Sequence, residues 1–226
     1  MNKILKLILL IIITLILTPF ILVVLTVDFI ITSRFPVIVQ ERSISLKENP
    51  VRILKIRTIT DSKDVPKKIK NPRGILFHRD LNGSVQPFCR WLRKSGIDEV
   101  LQLLNVIKGE MALVGPRPLL LSELKIMKEE YPALYQRRKK INSLPGITGY
   151  WQVNGKREKG IDNLILMDEY YENNKSLLLD VKISLKTIIV MLTATHSDAI
   201  VCNEKISEKK GIGVLVRHIT EKTPNV

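Results

Sequence analysis

The chain of 226 residues is long enough for one modest domain plus an apolar anchor. Lysine and arginine outnumber aspartate and glutamate by 36 to 22, and the net charge of +14 indicates an anionic partner: nucleic acid, anionic lipid or a phosphorylated substrate. Aromatic residues make up only 5% of the chain and do not alternate with basic ones, which argues against a nucleic-acid partner. The cysteines Cys89 and Cys202 and the scattered histidines indicate neither a disulfide framework nor a zinc site.

The chain begins with an apolar run over residues 4–27, interrupted only by Lys6 and three threonines. A helix needs ~20 such residues to span a bilayer, and no cleavage-like site follows, so we expect a retained membrane helix. Basic residues flank both ends, which the positive-inside rule places in the cytoplasm, and Pro19 interrupts the helix near its middle. A re-entrant helix satisfies both conditions; a single span with a proline kink is the alternative.

Beyond the apolar run, the pattern predicts short strands at residues 36–39 and 51–56, separated by a lysine-containing loop. The segment 61–79 is polar, charged and broken by prolines. Such a segment is typical either of a mobile loop over a site or of an ordered lid.

Two helices are expected in the second half of the chain. Residues 119–136 predict a helix in two pieces, broken near Pro132. Residues 177–192 place Val181, Leu185 and Ile188 on one face. That pattern suits a helix lying in a membrane interface and equally a helix packed on the core.

Two adjacent carboxylates, Asp98 and Glu99, stand between Arg93 and Arg117 in the stretch RKSGIDEVLQLLNVIKGEMALVGPRP. Arginine and magnesium can hold phosphate oxygens while a carboxylate attacks phosphorus or binds the metal, so the pattern indicates phosphate chemistry. A structural interpretation is also open, because Ser95 followed three residues later by Asp98 forms a capping box. The two interpretations can coexist, since the positive end of a helix favours an ionised carboxylate and also attracts phosphate.

Two later segments contain further candidates. The segment PGITG at residues 145–149 is a predicted turn-rich loop, whose glycines let backbone approach a ligand or simply form a structural turn. Asp168 opens a polar and aromatic stretch, where it is either a second carboxylate facing a metal or a helix cap.

The run from Ser95 to Pro118 resembles the bacterial sugar transferase family, the small monotopic polyprenyl-phosphate phosphoglycosyl transferases. Their pattern S-x-DE-x-x-QL-x-NV-x-x-G-x-M-x-x-VGPRP is present at every fixed position, with Gly96 added after the serine or counted as variable. The resemblance extends over roughly residues 4–192. Other blocks of the family occur in the expected order: Gln40-Glu41-Arg42, Lys55-Ile56-Arg57-Thr58, Pro145-Gly146-Ile147-Thr148-Gly149, Gln152-Val153-Asn154-Gly155, Asp168-Glu169-Tyr170-Tyr171 and Leu179-Asp180-Val181-Lys182.

The resemblance implies an α+β, mainly helical fold in three parts. Residues 1–33 would form a re-entrant membrane helix, residues 34–195 a compact cytoplasmic catalytic domain with interfacial amphipathic helices, and residues 196–226 a tail. The implied reaction transfers a sugar 1-phosphate from a UDP-sugar to undecaprenyl phosphate and releases UMP, as the first membrane step of polysaccharide, O-antigen, capsule or glycan assembly. It takes place at the cytoplasmic face of the bacterial inner membrane, with anionic lipids as further partners.

The resemblance also implies roles for single residues. Asp98 would attack the sugar-linked phosphorus, and Glu99 would hold Mg²⁺, with Asp98 and Asp168 as further candidate ligands. Arg93 and Arg117 would bind the phosphates. Further substrate contacts are expected from Arg57, Gly146, Thr148, Gln152 and Asn154.

Two other functions fit parts of the same sequence. A lipid-phosphate or nucleotide-sugar hydrolase would use water in place of the lipid acceptor. A basic membrane scaffold without catalysis would explain the charge and the apolar helix, but not the pattern between Arg93 and Pro118. No residue indicates which donor sugar is used.

Overall fold

The computed structural model describes residues 3–59, 86–155 and 160–194. These residues form a mixed fold rich in helix, as predicted, with an apolar helix at the N-terminus. The strands are β1 (Val37–Ser43), β2 (Val51–Ile56), β3 (Ala112–Val114), β4 (Leu119–Leu120) and β5 (Gly146–Thr148). The helices are α1 (Lys3–Thr32), α2 (Pro87–Ser95), a 3₁₀ helix (Ile97–Gln102), α3 (Leu103–Ile107), α4 (Leu121–Glu130), α5 (Pro132–Arg138), α6 (Tyr150–Asn154), α7 (Gly160–Asn174) and α8 (Leu177–Leu192). The predicted loop at 61–79 and tail at 196–226 lie outside the described residues.

The N-terminal helix α1 is apolar enough over Leu10–Thr32 to cross a membrane. It continues through Pro19, although proline has no N–H to donate to the preceding turn. Most of its large apolar side chains are exposed, Ile16 to 71% and Ile30 to 70%. A helix that exposes so much apolar surface needs an apolar environment around it.

One face of α1 nevertheless packs on the rest of the protein. Ile21 and Val24 on that face are buried in a core shared with Ile56 of β2, Leu92 of α2 and Leu101 of the 3₁₀ helix. Asp28 is fully buried, and its carboxylate accepts a hydrogen bond of 3.6 Å from the Cys89 thiol of α2. The apolar helix α1 is therefore part of the same packed unit as the elements that follow it.

The strand β1 forms the centre of an antiparallel sheet in the order β2-β1-β4. Val37 lies opposite Ile56, and Arg42 lies opposite Val51 on one side and Leu120 on the other. The two strands predicted from the sequence are confirmed, and β1 extends further than expected, to Ser43. Because side chains alternate along a strand, Lys55 and Arg57 project from the same face at the end of β2.

A second, two-stranded sheet pairs β3 with β5 in parallel, with Ala112 opposite Gly146 and Val114 opposite Thr148. The prediction of a turn-rich loop is therefore wrong for residues 146–148. A Cβ added to Gly146 would lie less than 3 Å from backbone atoms of Gly115 and Thr148. The glycine thus lets two segments of this chain approach each other, a requirement that only the paired fold reveals.

The main core lies between β4, α4, α5 and α7. As predicted, the helical region is broken at Pro132, which begins α5 at the position where proline costs no hydrogen bond. The first residues of the predicted helix, Leu119 and Leu120, instead form β4, because they pair with β1. The buried side chains of this core are Leu119, Leu124, Met127, Tyr135, Trp151, Leu164 and Ile165.

The last described helix, α8, is attached to the body by a small apolar cluster, in which Ile183 packs with Val114 and Tyr171, and by polar contacts. The Tyr171 hydroxyl donates to Asp180 over 2.9 Å, and the hydroxyls of Thr148 and Thr187 lie 2.7 Å apart. The apolar face is exposed in the described part of the chain: Val181, Leu185, Ile188, Ile189 and Leu192. Of the two interpretations, a core-facing helix is thus contradicted, and the exposed face suits an interfacial one.

The close approach of β3 and β5 predicts that a side chain added at Gly146 is costly. Gly146→Ala should lower the free energy of unfolding by about 2–3 kcal/mol, because the new methyl group overlaps backbone that cannot move independently. Gly109→Ala is the control: no atom lies within 4 Å of its Cβ position, so only its positive φ of +78° resists the change, at a cost of about 1 kcal/mol. Equal losses in denaturant unfolding would contradict the close approach.

Candidate active site

Asp98 and Glu99, the acidic pair, lie directly after the turn that separates α2 from the 3₁₀ helix. α2 ends at Ser95, and Gly96 adopts the left-handed conformation with φ 73°, which glycine tolerates without strain. The chain then enters the 3₁₀ helix with Asp98 and Glu99 in its first turn. The Ser95 hydroxyl accepts from the N–H of Ile97, not from Asp98, so the predicted capping box is not formed.

Both carboxylates are buried, Asp98 to 3% exposure and Glu99 to 5%. A single buried lysine lies between them: the Nζ of Lys55 is 3.2 Å from Oδ2 of Asp98 and 2.8 Å from Oε1 of Glu99. Two adjacent carboxylates inside a protein require a compensating charge, and Lys55 provides it. The lysine also joins β2 to the 3₁₀ helix and so fixes where Asp98 lies.

Asp98 lines a cavity that is strongly basic. Its charged lining comprises five cationic side chains and two carboxylates: Arg42, Lys55, Arg57, Arg93, Arg117, Asp98 and Glu123. One carboxylate oxygen of Glu123 already has a partner, because its Oε2 accepts a hydrogen bond from the N–H of Leu120 over 2.8 Å. An excess of fixed positive charge around a carboxylate attracts a multiply charged anion, such as a diphosphate, to that carboxylate.

The predicted phosphate ligands come together in this cavity from distant parts of the chain. Arg93 extends from α2 and donates to the Thr58 hydroxyl over 3.3 Å. Arg57 follows β2 and donates from Nε to the Phe35 carbonyl over 3.0 Å. Arg117 is 4% exposed, and its guanidinium carbon lies 5.9 Å from the centre of the Trp151 ring. The cavity therefore unites four predicted site residues: Arg57, Arg93, Asp98 and Arg117.

Asp168 is placed elsewhere. It lies within α7 and not at a helix end, so the cap interpretation is wrong. Its carboxylate and the guanidinium of Arg138 form a fully buried ion pair of 2.9 Å. Burial raises the pKa of Asp168 to about 6, opposed by the charge of Arg138 and by its hydrogen bond. Its role as a metal ligand stays a prediction, and in this structure its partner is an arginine.

The four other predicted substrate contacts lie around β5 and α6, and none lines the described cavity. Gly146 and Thr148 belong to β5, while the Gln152 amide donates to the Ile147 carbonyl over 3.0 Å. The Asn154 side chain bonds to the Tyr150 carbonyl and to Lys186 of α8. These contacts stabilise the fold, and a role in substrate binding stays a prediction.

Sequence reasoning missed Lys55, Arg42, Glu123 and Arg138. Lys55 had a signal: it lies near the end of a predicted strand and two residues before Arg57, a spacing at which side chains of extended backbone point the same way. Arg42 lies near the end of β1, where its Nη1 reaches the Pro118 carbonyl at 3.4 Å. Arg138 belongs to a basic run that typically faces solvent, and only the tertiary fold buries it.

Asp98 and Glu99 are the predicted protein ligands of a divalent cation. No group of three or more histidine, cysteine, aspartate or glutamate side chains is placed to hold a metal within the described residues. Mg²⁺ commonly takes one or two carboxylates and completes its shell with water and substrate phosphates. Asp98 and Glu99 supply that number of carboxylates; Asp98 lines the cavity whereas Glu99 does not, and their binding of Mg²⁺ stays a prediction.

Comparison with known proteins agrees with this chemistry. A family model described as bacterial sugar transferase matches residues 1–194. The chain is 35% identical over 159 residues to the uncharacterized sugar transferase EpsL of Bacillus subtilis, covering 70% of this chain and 71% of EpsL. It is 37% identical over 157 residues to the UDP-glucose:undecaprenyl-phosphate glucose-1-phosphate transferase of Caulobacter vibrioides, covering 66% of this chain. It is 38% identical over 103 residues to the undecaprenyl-phosphate galactose phosphotransferase of Salmonella typhimurium, covering 46% of this chain.

The matched segments cover different shares of these relatives. They span 54% of the Caulobacter protein and 20% of the Salmonella protein. The galactosyl transferase CpsE of Streptococcus agalactiae is likewise matched over 35% of its length. The chain thus corresponds to about half or less of the relatives whose names state a substrate or a sugar.

The shared lysine gives a direct test of the site's construction. Lys55→Ala should lower the free energy of unfolding by about 3–5 kcal/mol, because it removes the buried cation that contacts both buried carboxylates. Lys175→Ala, which removes an exposed pair with Glu172, should cost at most about 1 kcal/mol. Denaturant unfolding in detergent measures both, and similar values for the two variants would argue against the lysine's structural role.

Proposed function

Because the chain belongs to the bacterial sugar transferase family, we propose that it transfers a sugar 1-phosphate from a UDP-sugar to undecaprenyl phosphate. The observation that carries the proposal is the position of Asp98, a carboxylate inside a basic cavity that can hold a diphosphate. The names of the Caulobacter and Salmonella relatives describe transfer to the same lipid. Such a reaction would begin the assembly of a polysaccharide, O-antigen, capsule or other glycan on a lipid carrier.

The reaction takes place in two displacements at one phosphorus atom. First, a carboxylate oxygen of Asp98 bonds to the phosphorus that bears the sugar, and the bond from that phosphorus to the bridging oxygen breaks. UMP leaves with the bonding electrons. An oxygen of undecaprenyl phosphate then attacks the same phosphorus, and the bond to Asp98 breaks. The products are the lipid-linked diphosphate sugar and the regenerated carboxylate.

The surrounding charges have distinct tasks in this mechanism. Arg93 and Arg117 bind the phosphate oxygens and stabilise the charge that develops as UMP leaves. Lys55 holds Asp98 in place and balances its charge before the substrate arrives. When bound, Mg²⁺ would act as a Lewis acid on the phosphates, with Glu99 and Asp98 as its protein ligands.

The apolar surfaces set the position of the enzyme on the membrane. In the proposal, residues 1–33 form a re-entrant helix in the cytoplasmic leaflet of the bacterial inner membrane, and residues 34–195 form the catalytic domain at its cytoplasmic face. The exposed face of α8 lies in the interface, and the net charge of +14 favours anionic lipids. This position lets a lipid phosphate reach Asp98 without leaving the membrane surface.

The covalent step has a distinct kinetic signature. Enzyme mixed with labelled UDP-sugar and Mg²⁺, but without lipid, should release UMP in a burst of at most one equivalent and retain the sugar phosphate. Asp98→Asn has nearly the same shape but lacks the anionic oxygen, so it should give neither a burst nor turnover. Glu99→Gln is the matched comparison, and it should alter the dependence on magnesium concentration.

Three outcomes would redirect the proposal. Continuous release of free sugar phosphate without lipid identifies a hydrolase. Wild-type protein that neither releases UMP nor forms lipid product supports a scaffold without catalysis. If Asp98→Asn folds and keeps near-normal transfer, the covalent intermediate is wrong, and the lipid attacks the donor directly.

The membrane arrangement can be measured separately. Single cysteines at positions 2 and 34, in a background without Cys89 and Cys202, should both be shielded from an impermeant thiol reagent in intact cells. Permeabilised cells, in which both positions should react, provide the control. Labelling of position 2 alone in intact cells would establish a spanning helix.

A further inference from the structure

Arg117 lies in a short connection that has little regular structure of its own. It stands between β3 and β4, flanked by Pro116 and Pro118, neither of which has an N–H to donate. The carbonyl of Pro116 accepts from Gly146, and that of Pro118 accepts from Arg42. The peptide groups of Arg117 itself must therefore be held by side chains.

Arg138 of α5 supplies one of these contacts. Its side chain is fully buried, and its Nη2 donates to the backbone carbonyl of Arg117. The same guanidinium donates from Nε to the carbonyl of Ile44 over 2.7 Å and from Nη1 to Asp168 over 2.9 Å. One planar group thus connects the end of β1, α7 and the segment that bears Arg117.

Asp168 completes the arrangement from the other side. Its carboxylate accepts from Nη1 of Arg138 over 2.9 Å and so fixes the orientation of that guanidinium. The ion pair therefore reaches the carbonyl of Arg117, the residue that presents its guanidinium to the cavity, through Arg138. The Arg117 side chain has its own support, because it lies over the ring of Trp151, which is 1% exposed.

The cost of burying the charges of Arg138 and Asp168 argues that this ion pair does more than hold α5 and α7 together. A fully buried ion pair carries a large desolvation cost, and well-packed apolar residues often serve stability equally well. The neighbouring residues Arg137 and Glu169 already join α5 to α7 by a two-pronged, partly exposed ion pair. Arg138 and Asp168 differ from that pair because they are fully buried and because Arg138 also binds the backbone carbonyl of Arg117.

We propose that Arg138 and Asp168 are positioning residues that hold Arg117 at the orientation required for binding phosphate. This inference rests on the proposed function, in which Arg117 binds phosphate. It makes Asp168 a residue that supports the site and does not contact the substrate. A displacement of about 1 Å in a group that binds the reacting phosphate is enough to reduce turnover by roughly 100-fold.

The test is a double-mutant cycle between Asp168 and Arg117. Asp168→Asn should reduce kcat by roughly 10- to 100-fold with a smaller change in KM for the UDP-sugar, per folded enzyme. Arg117→Lys should be similarly impaired, because lysine lacks the planar fork. If Asp168 acts through Arg117, the combined variant should be no worse than Arg117→Lys alone. Multiplied losses in the combined variant would overturn the proposal.

Two further variants separate positioning from stability. Glu169→Gln weakens the adjacent ion pair between the same helices and should leave kcat unchanged. The paired change Arg138→Met with Asp168→Leu removes both buried charges, so it should fold even if Asp168→Asn does not. It should still lose kcat, because the hydrogen bond from Arg138 to the Arg117 carbonyl is lost. Wild-type kcat in this folded double variant would show that the pair serves stability alone.

A binding measurement makes the test independent of turnover. Titration of the same variants with UDP by calorimetry gives a dissociation constant for each. These constants should show the same non-additive pattern. If the wild-type protein binds UDP but makes no lipid product, the proposed function is contradicted. The cycle on UDP binding then still tests whether Arg138 and Asp168 position Arg117. Wild-type turnover together with additive losses contradicts the positioning role alone.

Discussion

The construction of the site depends on one interaction, the contact of Lys55 with both Asp98 and Glu99. Adjacent carboxylates at the start of a helical turn repel each other, and burying them multiplies that cost unless a cation lies within contact distance. The cation comes from β2, so the strand and the 3₁₀ helix are held at a fixed separation. Because β2 also continues into Arg57, the same strand that neutralises the acids places an arginine in the cavity beside them.

The membrane helix and the site share this framework. Ile56 follows Lys55 on β2 and packs in one core with Ile21 and Val24 of α1. Leu92 of α2, which precedes Asp98, and Leu101 of the 3₁₀ helix that contains Asp98 complete the same core. The position of α1 is therefore coupled through direct packing to the position of the acidic pair. This coupling suits an enzyme whose two proposed substrates come from different phases, one from water and one from the membrane.

Around the acidic pair, arginines perform two kinds of task. Arg57, Arg93 and Arg117 line the cavity, where their charges are available to an anion. Arg138 lies in the interior, where its guanidinium binds a carboxylate and two backbone carbonyls. The difference follows from the local fold: a cavity-lining arginine keeps access to a ligand, whereas Arg138 is enclosed by α5, α7 and the connection that bears Arg117. Residue type alone does not distinguish these tasks.

The sequence by itself determined the family, the apolar helix, the first two strands, the break at Pro132 and the candidates Asp98, Arg93, Arg117 and Arg57. Local periodicity and contiguous motifs are properties of a short stretch of chain, so they are visible without the fold. Only the tertiary structure decided that Lys55 serves both acids, that residues 146–148 form a strand, and that Asp168 pairs with Arg138. Each of these depends on a partner distant in the chain, and only the fold shows which charged side chains are buried together. A basic run and a glycine-rich segment look the same in the sequence whether they face solvent or are enclosed by the rest of the protein.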